Sequence, residues 1–295
     1  MSTTADPAIR IGIDPTNPGQ FFACCGLLEL ADRLWRGAEG AFSFTGDEFS
    51  LSRTRDSIGG NADELRCKLA GCEITSTMTD EQISRLKKLL NQEKISLTWE
   101  DIAEKQGLSE LWKRERLCLG EPFHLWIDWW GDDRSGGSSF KTWAGKQFVI
   151  DLVRGMQSQI RTDRWSSIPA ARWLNEPAND GSLPLYFDAD IGGQSSSLDV
   201  GFSMDALSMR SRTRPMIEIA AFIGLQRFRP SPEKLSGSFS YGQWTDSLPP
   251  ILAAAACCGR LSQRRGMTFE FRLLYRTKYL KSFLTANPIR RPTNE

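Results

Sequence analysis

The segment from residue 9 to residue 35 constrains the fold more than any other part of this sequence. A strand-like run at residues 9–14 precedes a stretch at residues 20–35 that is almost wholly apolar. Asn17 and Pro18 form a good helix start, because the asparagine side chain can cap free backbone N–H groups and proline has no N–H to leave unpaired. A helix that is apolar on most of its sides is buried on most of its sides. This segment therefore predicts the centre of a hydrophobic core.

The composition is that of an ordinary globular protein, with 40% hydrophobic and 25% charged residues among 295. The longest apolar run, near residues 21–30, is too short to span a bilayer, and the N-terminus lacks the basic-then-apolar order of a signal peptide. The seven cysteines are odd in number and include no Cys-x-x-Cys, which predicts reduced, mostly buried thiols rather than a zinc site. We therefore expect a cytoplasmic protein with no membrane segment and no cofactor.

The net charge of +1 conceals an uneven distribution. Residues 205–295 carry 15 Lys and Arg against 6 Asp and Glu, whereas residues 1–204 carry 22 against 30. A basic final third on an acidic body suggests a polyanionic partner on one side and basic neighbours on the other. Chance clustering on a solvated surface would give the same counts. We expect an N-terminal region 1–120, a central region 121–204 and the basic region 205–295 within one intertwined fold.

Hydrophobic periodicity predicts an α+β fold, in which a mixed or antiparallel sheet is covered by apolar helices. A polar stretch of mixed charge at residues 91–117 is expected to be a mobile excursion. The predicted apolar helices lie at residues 20–35, 216–225 and 249–258, with further helices at 79–91 and 141–159. The predicted strands lie near residues 42–44, 49–51, 186–190 and 268–281, with a turn at Gly46-Asp47.

Basic residues in the last third recur along extended segments. Arg210, Arg212 and Arg214 alternate, which would place three guanidinium groups on one face of an extended chain. Such rows can follow successive phosphates, while Trp, Phe and Tyr offer stacking surfaces. The alternative for any one row is a solvated strand face. The residues predicted to contact nucleic acid are Lys141, Trp143, Lys146, Arg154, Arg210, Arg212 and Arg214 in a first band and Arg227, Arg229, Arg264, Arg265, Arg276 and Lys278 in a second, with a core position for Trp143 equally open.

The single histidine, His124, offers an alternative chemistry. In strand geometry it shares one face with Trp126, Asp128 and Trp130. Together with Asp133, the pair His124 and Asp128 would serve a metal-assisted nuclease. Metal sites usually need more imidazole or thiolate than this chain supplies. A partly buried histidine on a Trp-rich strand is therefore the simpler interpretation.

Three segments taken together resemble one protein family. The segments are Ile13–Gln20 running into Ala23–Leu30, Ile127–Trp130 followed by Lys141–Gln147, and Val200–Ser203 with Arg214–Pro215 and Ile223–Pro230. They resemble the compact large-subunit-like proteins of type I-U (also called I-G) CRISPR effector complexes. The resemblance spans about residues 9–281.

The resemblance implies a non-catalytic subunit of a Cascade-type, RNA-guided DNA surveillance complex. Such a subunit would lie near one end of the guide RNA, help to recognise the protospacer-adjacent motif in duplex DNA and support strand separation, while base pairing reads the sequence. Its partners would be the CRISPR guide RNA, the target double-stranded DNA, the other Cascade subunits and a recruited helicase-nuclease. The rival interpretations are the metal-assisted nuclease and a scaffold that contacts only protein neighbours through the acidic surface of residues 1–204.

Overall fold

The computed structural model describes residues 7–53, 61–93, 96–128, 148–178, 184–192, 212–235, 237–261, 266–275 and 281–289. The regular elements among these residues are helices and antiparallel sheets, so the predicted α+β class is confirmed. In this part of the chain no helix is long and apolar enough to cross a membrane. The helices are α1 (Pro18–Trp35), α2 (Ala62–Gly71), α3 (Asp80–Asn91), α4 (Trp99–Lys113), α5 (Val149–Ile160), α6 (Asp163–Ser166), α7 (Ala189–Gly192), α8 (Pro215–Arg227) and α9 (Pro250–Cys257), with a 3-10 helix at Ala170–Asn175.

The described strands form three antiparallel sheets. The first contains β1 (Ile9–Gly12), β2 (Ala38–Phe42) and β3 (Glu48–Arg53), with β3 in the centre. The second contains β4 (Ile74–Ser76), β5 (Leu117–Leu119) and β6 (Leu125–Ile127) in that order. The third contains β7 (Ser231–Pro232), β8 (Ser238–Gly242) and β9 (Thr268–Tyr275), with β10 (Lys281–Phe283) and β11 (Asn287–Ile289) both paired to β9.

The helices α1 and α8 cross at the centre of the molecule. Asn17 caps the start of α1, as predicted. At the crossing the two backbones touch. A Cβ atom on Gly26 would lie 1.9 Å from the carbonyl oxygen of Ala220, and one on Gly224 would lie 2.1 Å from that of Phe22. Because only glycine permits so close an approach, these two positions set how the helix pair packs.

Aromatic side chains join the first and third sheets around α1. Phe21 of α1 stacks on Tyr241 of β8, with ring centroids 4.3 Å apart, and on Phe42 of β2 at 5.2 Å. The indole N–H of Trp244 donates to the carbonyl oxygen of Gly40 at 2.7 Å. The described elements of residues 7–53 and of residues 212–289 therefore share one core.

Most of the predicted elements are confirmed. The apolar helices and the helix at residues 79–91 begin and end within a few residues of their predicted bounds, and the hairpin turn lies at Gly46-Asp47. The helix predicted at residues 141–159 begins only at Val149, because Phe148 is extended and stands at the cap position of α5; residues 141–147 lie outside the described residues.

The excursion predicted at residues 91–117 is wrong, because α4 occupies most of it. A capping box starts this helix, in which Thr98 and Asp101 exchange hydrogen bonds between side chain and backbone. Arg85 of α3 then pairs with the Asp101 carboxylate at 2.9 Å. No residue of α4 is buried. The helix therefore lacks the periodic apolar stripe by which sequence patterns reveal a helix.

Two strand predictions also need correction. Residues 186–190 do not form a strand: Tyr186 has a φ of 67°, in the left-handed region that strands do not use, and α7 follows it. The strand predicted at residues 268–281 ends at Tyr275 in β9. Lys281 belongs to β10, which pairs back against β9 in antiparallel register.

Candidate nucleic-acid interface

Only some of the residues predicted to contact nucleic acid lie in the described part of the chain. Arg154, Arg212, Arg214, Arg227 and Arg229 are among the described residues. The remaining predicted contacts lie outside the described residues, and they are Lys141, Trp143, Lys146, Arg210, Arg264, Arg265, Arg276 and Lys278.

Arg214 lies at the start of α8 and is directed into the protein. Its guanidinium donates to both carboxylate oxygens of Asp188 at 2.5 Å and to Asp190 at 2.5 Å. Asp188 is fully buried and also accepts the side-chain N–H of Asn17 at 2.8 Å. Only 15% of the Arg214 side chain is exposed. Arg214 therefore links the starts of α1 and α8 through a shared polar network.

Glu218, one turn further along α8, belongs to the same network and is fully buried. Its carboxylate accepts the backbone N–H groups of Leu185, Phe187 and Asp188 at 2.9, 3.2 and 3.1 Å. Burial and, to a lesser extent, the charge of Asp188 raise the pKa of Glu218 to about 8, although the three N–H donors act to lower it. These hydrogen bonds hold the loop in the left-handed turn at Tyr186.

Arg227 and Arg154 also pair within the protein. Arg227, the last residue of α8, pairs with Glu29, a buried residue of α1, so the end of α8 is also linked to α1. Arg154 donates to the carbonyl oxygen of Ile74 at 2.9 Å and pairs with Asp80 at 3.1 Å. These arginines stabilise the fold, as Arg214 does. Among the described arginines of the predicted set, Arg212, Arg227 and Arg229 are exposed.

The open side of the β4–β5–β6 sheet presents a different surface. Thr75, Cys118 and Trp126 form one row across the three strands, and Arg116 and Asp128 lie in the next row. These five residues are called the Trp126 face below. The alternate side chains of β5 and β6 are buried. The Trp126 face is therefore the solvent side of the sheet.

A planar cation lies on a planar ring at the centre of this face. Trp126 is 48% exposed, and the Arg116 guanidinium lies over its indole at 4.7 Å from the ring centroid. Arg116 also pairs with Asp128 at 2.8 Å. A cation over an exposed indole contributes about 0.5–1 kcal/mol. The stack and the ion pair together orient the guanidinium and leave a flat, partly cationic surface in contact with solvent.

The strand β6 that carries this ring is anchored to the central helix pair. Arg33 of α1 donates to two backbone carbonyl oxygens just before β6, at 2.8 and 3.1 Å. The backbone N–H of Asp128 donates to the side-chain oxygen of Gln226 in α8 at 3.1 Å. The Trp126 face is therefore carried by a strand that is tied to the core at both ends.

The sequence placed His124, Trp126, Asp128 and Trp130 on one face of a strand. Trp126 and Asp128 do alternate with buried neighbours, but His124 precedes β6 with a φ of 46°, in the left-handed region that strands do not use, and Trp130 lies outside the described residues. Their surroundings do not form a metal centre in the described part of the chain, where no three His, Cys, Asp or Glu side chains converge. His124 is exposed, so the expectation of a partly buried histidine is wrong, and a Glu121 carboxylate oxygen lies 3.8 Å away. Asp133 lies outside the described residues. All seven cysteines are free thiols.

Sequence reasoning did not assign Arg116 to the site. It precedes β5, which pairs with β6, and the alternation of exposed and buried residues along both strands is the signal that could have placed it. The short length of β5 hid that alternation, since three residues give little periodicity to detect.

No family model matches this chain, and no curated protein or solved structure was found to be similar to it. What the Trp126 face can bind follows from the chemistry of its residues. An exposed indole stacks on flat rings, a guanidinium stacks as well as pairing with anions, and the hydroxyl of Thr75 can donate or accept a hydrogen bond. An unpaired nucleotide, which offers a flat base and a phosphate, matches all three groups.

Proposed function

We propose that this chain is a non-catalytic, nucleic-acid-binding subunit of a Cascade-type RNA-guided DNA surveillance complex, and that it holds an unpaired strand on the Trp126 face. The observation that carries the proposal is the exposed Trp126 ring with the Arg116 guanidinium stacked over it. Proteins bind single strands by stacking bases on exposed aromatic rings and arginine planes. Each stacked base contributes about 1–3 kcal/mol.

Phosphate contacts complete the proposed interface. Arg212 and Arg229 are described members of the predicted bands, and both are exposed on surfaces that a nucleic-acid backbone can approach. The basic balance of residues 205–295 supports a polyanion on this side of the chain. Binding should weaken steeply with salt, because each neutralised phosphate releases counterions.

In the complex, base pairing with the guide RNA would select the target, and this chain would hold backbone and unpaired bases near the protospacer-adjacent motif. Its partners would be the guide RNA, the target DNA, the other Cascade subunits and a recruited helicase-nuclease, in the cytoplasm. The likeness of three segments to the type I-U (I-G) large-subunit-like family supports this role. An unpaired strand at the Trp126 face fits the strand separation that such a subunit assists.

The test is the binding of the full-length chain to a labelled single-stranded oligonucleotide, measured by fluorescence anisotropy. Trp126→Ala removes the stacking ring and should weaken binding about tenfold or more. The matched control is Trp99→Ala, since Trp99 is 87% exposed at the start of α4 and outside the Trp126 face. Equal affinity of the two variants would refute the proposed stacking site.

A protein-only scaffold is the second candidate, and α9 favours it. Ile251 and Leu252 on this helix are 69% and 45% exposed, which leaves an apolar surface of the kind that protein partners cover. Under the scaffold hypothesis, Leu252→Glu blocks assembly with the other subunits while oligonucleotide binding by the wild-type chain is absent. Oligonucleotide binding that depends on Trp126 would contradict it.

A further inference from the structure

The third sheet contains a bulge on one edge of β9. Phe283 of β10 pairs with Leu273, and Asn287 of β11 pairs with Glu270, so three residues of the β10–β11 connection face two residues of β9. The N–H of Leu284 still donates to a carbonyl oxygen of β9 at 3.0 Å. Bulges bend a strand and redirect its side chains, and they are frequent beside binding sites.

A cavity of about 350 Å³ opens at this bulge, called the bulge pocket below. Arg272, Thr285 and Asn287 line it and are exposed. Glu270 lines it as well, and its carboxylate accepts the hydroxyl of Ser238 on the neighbouring strand. The remaining lining residues are Phe271 and Leu284.

Three of the four polar side chains that line the bulge pocket suit an oxyanion, and the fourth, the Glu270 carboxylate, accepts the hydroxyl of Ser238 on the neighbouring strand. The Arg272 guanidinium is a planar fork of N–H donors, the Thr285 hydroxyl can donate one hydrogen bond, and the Asn287 amide can donate two. No ion pair of Arg272 is present among the described residues. Arginine forks of this kind bind phosphate in two-point geometry. The pocket also belongs to the basic region 205–295, which attracts polyanions as a whole.

We propose that the bulge pocket binds a backbone phosphate of nucleic acid. The inference rests on the proposed function, since it names a second place at which the same class of ligand contacts the chain. The pocket recognises the phosphate and not the base, so it should act alike on strands of different sequence.

The test uses isosteric charge changes in the full-length chain, with labelled single-stranded oligonucleotides of two different sequences. Asn287→Asp places a carboxylate in the bulge pocket without changing its shape and should weaken binding about fivefold or more for both sequences. The magnitude of the slope of log affinity against log salt should fall by about 0.7, the loss of one phosphate contact on a single strand. The control is Asn61→Asp at the start of α2, where either residue caps the helix and the net charge changes equally.

Equal affinities of Asn287→Asp and Asn61→Asp would overturn the inference, as would a loss confined to one oligonucleotide sequence, which indicates a base contact. The stacking site on the Trp126 face and the bulge pocket can be refuted independently of each other. If Trp126→Ala weakens binding while Asn287→Asp does not, only the bulge pocket is refuted. If Asn287→Asp weakens binding while Trp126→Ala matches Trp99→Ala, only the stacking site is refuted.

Discussion

Arginines in the α1–α8 helix pair and on the Trp126 face have different partners. In the helix pair, Arg214 and Arg227 neutralise Asp188 and Glu29, both of which are buried. On the Trp126 face, Arg116 pairs with a half-exposed carboxylate and stacks on an exposed ring. A buried carboxylate that loses its cation is costly, whereas an exposed pair contributes at most about 1 kcal/mol. The burial of the partner, and not the spacing of the arginines, therefore separates structural cations from those that can bind a ligand.

The largest expected effect in this comparison comes from Arg214→Gln. The change leaves Asp188 buried without its main cation and next to the Glu218 carboxylate, so the free energy of unfolding should fall by about 3 kcal/mol. Chemical denaturation followed by circular dichroism measures it. Arg212→Gln is the control, because Arg212 is exposed two residues earlier and should change stability by no more than about 0.5 kcal/mol. Equal losses of unfolding free energy in both variants would contradict the distinction between arginines with buried partners and arginines on the surface.

The sequence predicted the buried elements well because burial leaves a pattern. The apolar stretch at residues 20–35 marks the core, and it was located correctly. The alternation along β9 marks one buried face, and it located the start of that strand but not the return into β10. The helix α4 was missed because Thr98, Asp101 and Arg85 stabilise it by caps and ion pairs, which leave no apolar period. The capping box Thr98-x-x-Asp101 was the available signal.

The partners of the arginines could not be predicted in the same way. Arg227 and Glu29 are 198 residues apart. Asp188, the partner of Arg214, follows the left-handed residue Tyr186, which breaks the strand that the pattern suggested. Such pairings depend on how α1 and α8 cross, which is a property of the tertiary structure. Charge spacing alone therefore predicted where cations are, and not which of them are free to bind phosphate.

An intermediate effect is expected from the pH dependence of the helix pair. Folding raises the pKa of Glu218 from 4.5 to about 8. The folded protein therefore binds the proton of the Glu218 carboxyl more tightly than the unfolded chain does. The stabilising contribution is complete below about pH 4.5 and is lost as the pH rises toward 8. In Glu218→Gln, most of this decline in the free energy of unfolding between pH 5 and 8 should disappear. Denaturation curves at several pH values measure the slope, and parallel slopes for both proteins would contradict the prediction.

The smallest effect on stability is expected from Asp128→Asn. The same variant gives the sharpest test of the Trp126 face. Both side chains of the Arg116–Asp128 pair are more than a third exposed, so stability should change by less than about 0.5 kcal/mol. The change removes a negative charge beside Arg116, which becomes available to phosphate, so oligonucleotide binding should tighten about threefold at low salt.

The control for this variant is Asp246→Asn, an exposed aspartate in the loop before α9, which changes the net charge equally. The metal-assisted nuclease makes the opposite prediction, because Asp128 would then bind the metal and its loss would abolish cleavage that depends on divalent cations. Tighter binding by Asp128→Asn than by Asp246→Asn supports a surface where the ion pair with Asp128 makes Arg116 less available to phosphate. Weaker binding, or cleavage that disappears with Asp128, would mean that this carboxylate contacts the ligand itself, and the contrast between the Trp126 face and the helix pair would no longer hold.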